Sequence, residues 1–296
     1  MIWITGASGM LGQDVSAFLA ARGNRLIKSD MEIDIADKFA VFEFAKAKPI
    51  EWIVNCAAYT AVDAAESDKE SAFAANGLGV ENLARIACEK NAKLIHVSTD
   101  YVFDGKKGKP YIETDPPNPI SIYGKSKLDG EQRLIRQCRR HFIIRTSGLY
   151  GLNGRNFVNT MLGLYAAQDR VRVVNDQKTG TTYTKDLAEL IGAILEQKSR
   201  EYGIYHFSNQ GCISWHDFAA EIYRRARLLG IISGNVSIEP ISSRDFPLPA
   251  KRPEQSCMSV EKAEKTFGIK IPDWRNALKR YLEEFSNTCK TAKSRV

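Results

Sequence analysis

The chain opens with a short apolar segment, Ile2-Trp3-Ile4-Thr5, that runs straight into Gly6-Ala7-Ser8-Gly9-Met10-Leu11-Gly12. Few folds accommodate three glycines at this spacing between a strand and a helix. Glycine lets the chain reverse sharply, lets a ligand's phosphates approach the backbone, and lets the helix lie close on the strand. The following helix presents free N–H groups and the positive end of its dipole, so the arrangement predicts a dinucleotide pyrophosphate site. Leu11, Val15, Phe18 and Leu19 share one helical face, as a helix packed on a sheet requires. A second apolar run, Leu26-Ile27, leads to Asp30, roughly 20 residues past the glycines, where an acid would grip ribose hydroxyls. The spacing is G-x-x-G-x-x-G rather than the common G-x-G-x-x-G, and a simple tight turn is the competing reading until the rest of the chain is considered.

The alternation continues. Strands are expected at 1–5, 25–30, 51–56, 93–98 and 141–147, and helices at 10–22, 36–47, 68–90 and 121–138. This rhythm predicts an α/β fold, a Rossmann-type doubly wound parallel sheet with helices on both faces. Ile53-Val54-Asn55-Cys56-Ala57-Ala58 and Leu94-Ile95-His96-Val97-Ser98 are short apolar runs, as buried parallel strands should be, and both end small or polar where ligands bind. Lys106 to Pro119 reads as a functional surface loop. Past Tyr150 the alternation weakens, leaving a strand at 203–207 and helices at 215–229, 259–267 and 273–287.

A net charge of +7 suits an anionic small molecule, and no dense basic stripe with interleaved aromatics points to nucleic acid. Strand-like sequence from residue 2 leaves no room for a leader, and no apolar run reaches the roughly 18 residues of a membrane span. The six cysteines are scattered without metal spacing and read as reduced thiols of a cytoplasmic protein, Cys56 as a small buried residue.

Tyr123-Gly124-Lys125-Ser126-Lys127 opens a helix, so Tyr123 and Lys127 lie on one face. A ketone that gains a hydride must also gain a proton, which a phenol can give. A nearby ammonium would bring that phenol's pKa down and could hold a nicotinamide ribose. Upstream, Ser98-Thr99-Asp100 follows a strand, and a hydroxyl there would orient the carbonyl toward Tyr123. Each feature alone is common; glycine turn, acid, hydroxyl and Tyr/Lys helix in this order form one coherent site.

These residues, with Asn55-Cys56-Ala57-Ala58-Tyr59-Thr60-Ala61-Val62-Asp63, Ser98-Thr99-Asp100-Tyr101-Val102-Phe103-Asp104-Gly105, Arg145-Thr146-Ser147, Asn156-Phe157-Val158-Asn159-Thr160-Met161, Ser214-Trp215 and Arg252-Pro253, resemble the extended short-chain dehydrogenase/reductase family to about residue 287. Within it the chain is similar to enzymes that reduce the C4 ketone of dTDP-4-dehydro-L-rhamnose with NADPH or NADH, a step in supplying cell-surface polysaccharide. The resemblance implies a dinucleotide domain over 1–150 with 172–200, a smaller, mostly C-terminal α/β substrate domain over 151–171 and 201–288, and a frayed tail over 289–296. It places Gly6, Gly9, Met10, Leu11 and Gly12 at the pyrophosphate and Asp30, Asp34 and Ile35 at the adenosine. Ala57, Ala58, Tyr59, Thr60 and Val97 would run beside the cofactor, with Tyr123 and Lys127. Thr99, Tyr123 and Lys127 would be catalytic, and Thr99, Asp100, Tyr101, Gly148, Asn156 and Arg252 would meet the dTDP-sugar.

The chain departs from the family in three places. Gly148 stands where Arg-Thr-Ser-Trp is usual, leaving a hole or a mobile loop. Gly180-Thr181-Thr182-Tyr183 lacks a proline, which would loosen a turn. Asp14 replaces a glutamate that in relatives bridges a possible homodimer through Mg2+, and the shorter arm argues against that metal. Asp30 favours NADH, while Lys28 and Arg25 could offset it. The competing functions are a cofactor-holding regulatory subunit without turnover, a reductase of another 4-keto nucleotide sugar, and an epimerase with no net redox change.

Overall fold

The computed structural model describes residues 1–293. In chain order the first half contains β1 (Ile2–Thr5), α1 (Met10–Ala21), β2 (Leu26–Ser29), α2 (Lys38–Ala45), β3 (Trp52–Asn55), α3 (Lys69–Phe73), α4 (Gly79–Glu89), β4 (Lys93–Thr99), α5 (Ile122–Gln137) and β5 (His141–Thr146). Beyond it come β6 (Leu149–Tyr150), α6 (Phe157–Ala167), β7 (Arg170–Val174), β8 (Lys178–Thr179), β9 (Thr182–Tyr183), α7 (Thr184–Glu196) and β10 (Gly203–Phe207). The chain closes with β11 (Ile213–Ser214), α8 (Trp215–Leu228), β12 (Ser237–Ile241), α9 (Glu261–Phe267) and α10 (Trp274–Lys293).

The main sheet runs β10-β5-β4-β3-β1-β2, all parallel. Adjacent residues on each strand serve opposite faces, so the strands are apolar throughout. Trp3, Ile53, Leu94 and Ile143 pack under α2, α4 and α5, whereas Ile4, Val54, Ile95 and Ile144 pack against α1 and α7. The strand order reverses between β1 and β3, and the crevice beyond their C-terminal ends is where such a sheet binds ligands. A second core gathers Tyr150, Tyr183, Phe218, Trp274 and Tyr281 with α6, α8 and β7.

Several expectations are corrected here. The helix read over 68–90 is broken by a π-turn at Ala74–Leu78 between α3 and α4. Its Asn76 side chain is buried and bonds both Tyr59 backbone groups and Ser126, so a tertiary polar anchor overrides helix propensity. β10 is the sixth strand of the main sheet, and β7 pairs with β12. The tail expected to fray from 289 is helical through Lys293, and 294–296 lie outside the described residues. The Lys106–Pro119 loop packs Tyr111 on Phe103 and does not line the cleft described below.

The cysteines are not all thiols. Cys212 and Cys257, 45 residues apart, are disulfide-bonded with Cα atoms 5.6 Å apart. Pairing of β11 with β8, and of Lys178 with Gln255, brings the two sulfurs together, which linear spacing could not reveal. Among the described residues, no helix is long and apolar enough to cross a membrane.

Candidate active site

A cleft of about 950 Å³ opens over the C-terminal ends of β1, β3 and β4. Every site residue expected from the sequence lines it except Asn156. Asn156 instead caps α6, accepting from Asn159 N–H and donating to the Gly151 carbonyl at 2.8 Å.

The glycine-rich turn is built as a cradle. Gly6 has φ +63°, and a Cβ there would lie 2.6 Å from the Ala57 nitrogen; a Cβ on Gly12 would lie 2.1 Å from the Gly6 carbonyl oxygen. Gly9 caps α1 without a side chain, leaving that helix's first N–H groups facing the cleft for a pyrophosphate. At the end of β2 the Asp30 carboxylate accepts from Ser8 N–H at 2.6 Å and Met31 N–H at 3.0 Å. Neither Lys28 nor Arg25 lines the cleft. Turn, free helix N-terminus and acid fit a dinucleotide.

Ser98 and Thr99 are neighbours on β4 and so point to opposite sides. Ser98 Oγ donates to Glu131 on α5, and the same buried carboxylate takes Arg145 Nε at 2.9 Å and Nη2 at 2.6 Å. Thr99 lines the cleft beside Tyr123, its hydroxyl accepting from Tyr101 N–H at 3.2 Å and donating to Asp100 Oδ1 at 3.1 Å. Tyr101 meets Tyr123 edge to face, ring centroids 5.7 Å apart.

The electrostatics differ from the expectation. Burial pushes the Tyr123 phenol up to about 12, with Thr99 opposing. Lys127, buried and pushed down to about 8 by desolvation, donates to the Val97 carbonyl at 2.7 Å rather than reaching the phenol. Asp100 is buried and raised to about 6 by desolvation. Cys56, past the end of β3, lines the cleft with its thiol pushed up to about 12 by burial.

Arg252, expected at a phosphate, is held in a two-pronged pair with Asp63, Nη2 to Oδ2 at 2.8 Å and Nη1 to Oδ1 at 3.0 Å. It clasps the loop after β3 to the segment before α9. Arg155, Lys178, Thr179 and Ser256, which no sequence motif marks, also line the cleft. Only tertiary pairing of β8 with 254–256 puts the last three there, so no local signal announces them.

The RmlD substrate binding domain family matches residues 1–287. The chain belongs to that family. A dTDP-4-dehydrorhamnose reductase from Aggregatibacter actinomycetemcomitans is 41% identical over 282 residues, 93% of this chain and 96% of its own. The crystal structure of a dTDP-4-dehydrorhamnose reductase from Clostridium acetobutylicum superposes with TM-score 0.91 at 38% identity, covering 96% of this chain and 99% of the other. The Bacillus anthracis dTDP-4-dehydrorhamnose reductase in complex with NADP gives TM-score 0.90 at 35% identity, covering 96% and 98%.

This RmlD-family chain settles its departures locally. Gly148 is not loose: φ is +51°, its carbonyl accepts from Thr182 N–H at 3.1 Å, and a Cβ would lie 2.6 Å from the Gly180 carbonyl oxygen. The 180–183 turn is likewise tied without proline, Asn209 N–H bonding Thr181 and Tyr183 N–H bonding the Asn209 side chain. Asp14 accepts from Thr184, and the ammonium of Lys185 already pairs with Glu284 beside it. Among the described residues no three acids, histidines or cysteines gather for a metal.

Proposed function

We propose that the chain reduces the C4 ketone of dTDP-4-dehydro-L-rhamnose to dTDP-L-rhamnose with NAD(P)H. The observation that carries this reading is that Tyr123, Lys127 and Thr99 line the same cleft as the glycine cradle. Bound NAD(P)H supplies the hydride to C4. Gly9, Met10 and Leu11 would hold its pyrophosphate, Asp30 its adenosine ribose, and Lys127 its nicotinamide ribose. Thr99 holds the ketone oxygen in place, and Tyr123 gives that oxygen its proton. A phenol raised to about 12 keeps its proton at neutrality, so it enters the reaction as an acid.

Arg155 and Lys178 line the cleft and, among the described residues, form no ion pair; they would meet the sugar nucleotide's pyrophosphate. In this reading the second core is the lobe that carries the nucleotide end of the substrate. Asp30 sets a preference for NADH. Oxidation of NADH followed at 340 nm, with dTDP-4-dehydro-L-rhamnose made by upstream enzymes, tests the proposal. Appearance of dTDP-L-rhamnose supports it. Cofactor binding with no turnover on any 4-keto nucleotide sugar would instead mark a regulatory subunit, and turnover without net NADH loss would mark an epimerase.

A further inference from the structure

We infer that Glu131 is a positioning residue for the reduction: it locks α5 onto β4 and β5, so that Tyr123 and Lys127 stand in register with Thr99. The inference rests on the proposed reading of Tyr123 as proton donor and deepens it.

Three observations carry it. First, Tyr123, Lys127 and Glu131 follow one another at four-residue steps along α5, so they share one stripe of the helix. Two of them grip consecutive residues of β4. Lys127 Nζ donates to the Val97 carbonyl at 2.7 Å, and Ser98 Oγ donates to Glu131 Oε1 at 2.5 Å. The next residue of that strand is Thr99, which lines the cleft with Tyr123. Second, the same carboxylate reaches β5. Ser98 and Arg145 are register neighbours, so both side chains rise on the α5 face of the sheet. Arg145 donates Nε to Oε1 at 2.9 Å and Nη2 to Oε2 at 2.6 Å. Thr99 and Thr146, the next pair in register, both line the cleft. Third, the clamp is sealed from water: Glu131, Arg145 and Ser98 are 1%, 2% and 3% exposed.

Burying such an ion pair costs about what its attraction returns, and apolar side chains of similar volume would hold the layers together as well. What the charged pair adds is direction. A carboxylate bonded at fixed angles to two neighbouring strands sets both the rotation of α5 and its height along β4. The reaction needs that setting, because a misplacement of about 1 Å between reacting groups costs on the order of 10²-fold in rate. Glu131 does not line the cleft and lies two helical turns, roughly 12 Å along the axis, from Tyr123. It therefore acts only through the residues it holds. The glycine cradle and Asp30 belong to other elements, so loosening the clamp should slow the chemical step and leave binding nearly unchanged.

The test is single-turnover reduction of dTDP-4-dehydro-L-rhamnose at saturating NADH by Ser98→Ala and Glu131→Gln, each made in wild type and in Tyr123→Phe. Ser98→Ala removes only the β4 arm and leaves Glu131 Oε1 bonded to Arg145 Nε, so the fold is kept. In wild type the rate should fall about tenfold for Ser98→Ala and about 10- to 100-fold for Glu131→Gln. KM for the sugar and Kd for NADH should change by less than about threefold. In Tyr123→Phe, where no phenol is left to aim, each substitution should cost less than about threefold. Equal losses in both backgrounds would mean a merely structural pair and overturn the inference, as would a wild-type rate or a change confined to KM. If Glu131→Gln does not fold, Ser98→Ala decides alone by the same criteria. Tyr123→Phe with the rate of wild type overturns the parent reading instead, so the two failures are distinguishable.

Discussion

Restoring the family's tryptophan at position 148 should damage this protein. Gly148 sits at φ +51°, a region that costs an L-residue about 1–2 kcal/mol. Any Cβ would also lie 2.6 Å from the Gly180 carbonyl oxygen and 3.2 Å from Thr181 Cα, both backbone atoms that cannot swing aside. Moving that turn costs about 1–3 kcal/mol more. Gly148→Trp should therefore lose about 2–5 kcal/mol, read by urea unfolding, and about 5–10 °C in melting temperature. Gly148→Ala carries the same Cβ and φ cost, so it should lose most of the same stability. A tryptophan variant as stable as wild type would refute the reasoning, because the strain at this turn would then be absent.

Further outcomes follow from the same contacts. Glu131→Ala leaves Arg145 buried without its partner and should destabilise the fold by about 3–5 kcal/mol in denaturant titration. NADH should be preferred to NADPH by about tenfold in kcat/KM, and Asp30→Ala should bring that ratio near one; an unchanged ratio contradicts the role given to Asp30. Reducing the Cys212–Cys257 bond, or making Cys212→Ser, should cost about 2–4 kcal/mol in the same unfolding assay.

Local signals were enough where the chemistry depends on neighbours in sequence. The strand, glycine turn and helix at 2–21 could be read from backbone needs alone, and the four-residue step from Tyr123 to Lys127 puts both in the cleft. Illegible features join distant segments. Arg252 looked free for phosphate, but its partner Asp63 lies 189 residues away. The disulfide, the β8 side of the cleft and the Glu131–Arg145 pair are tertiary in the same sense. The choice between Ser98 and Thr99 turned on which face of β4 meets α5. Lys127's attachment to Val97 also upset the simple expectation of a phenol pKa lowered by an adjacent ammonium, since burial dominates.

The central claim is that the Tyr123 phenol gives the proton when the ketone is reduced. Its most direct test is single-turnover reduction of dTDP-4-dehydro-L-rhamnose by Tyr123→Phe, with the Kd for NADH measured by fluorescence on the same sample. The account predicts a rate lowered by about 10²- to 10⁴-fold at an unchanged Kd. A rate within about threefold of wild type would contradict it.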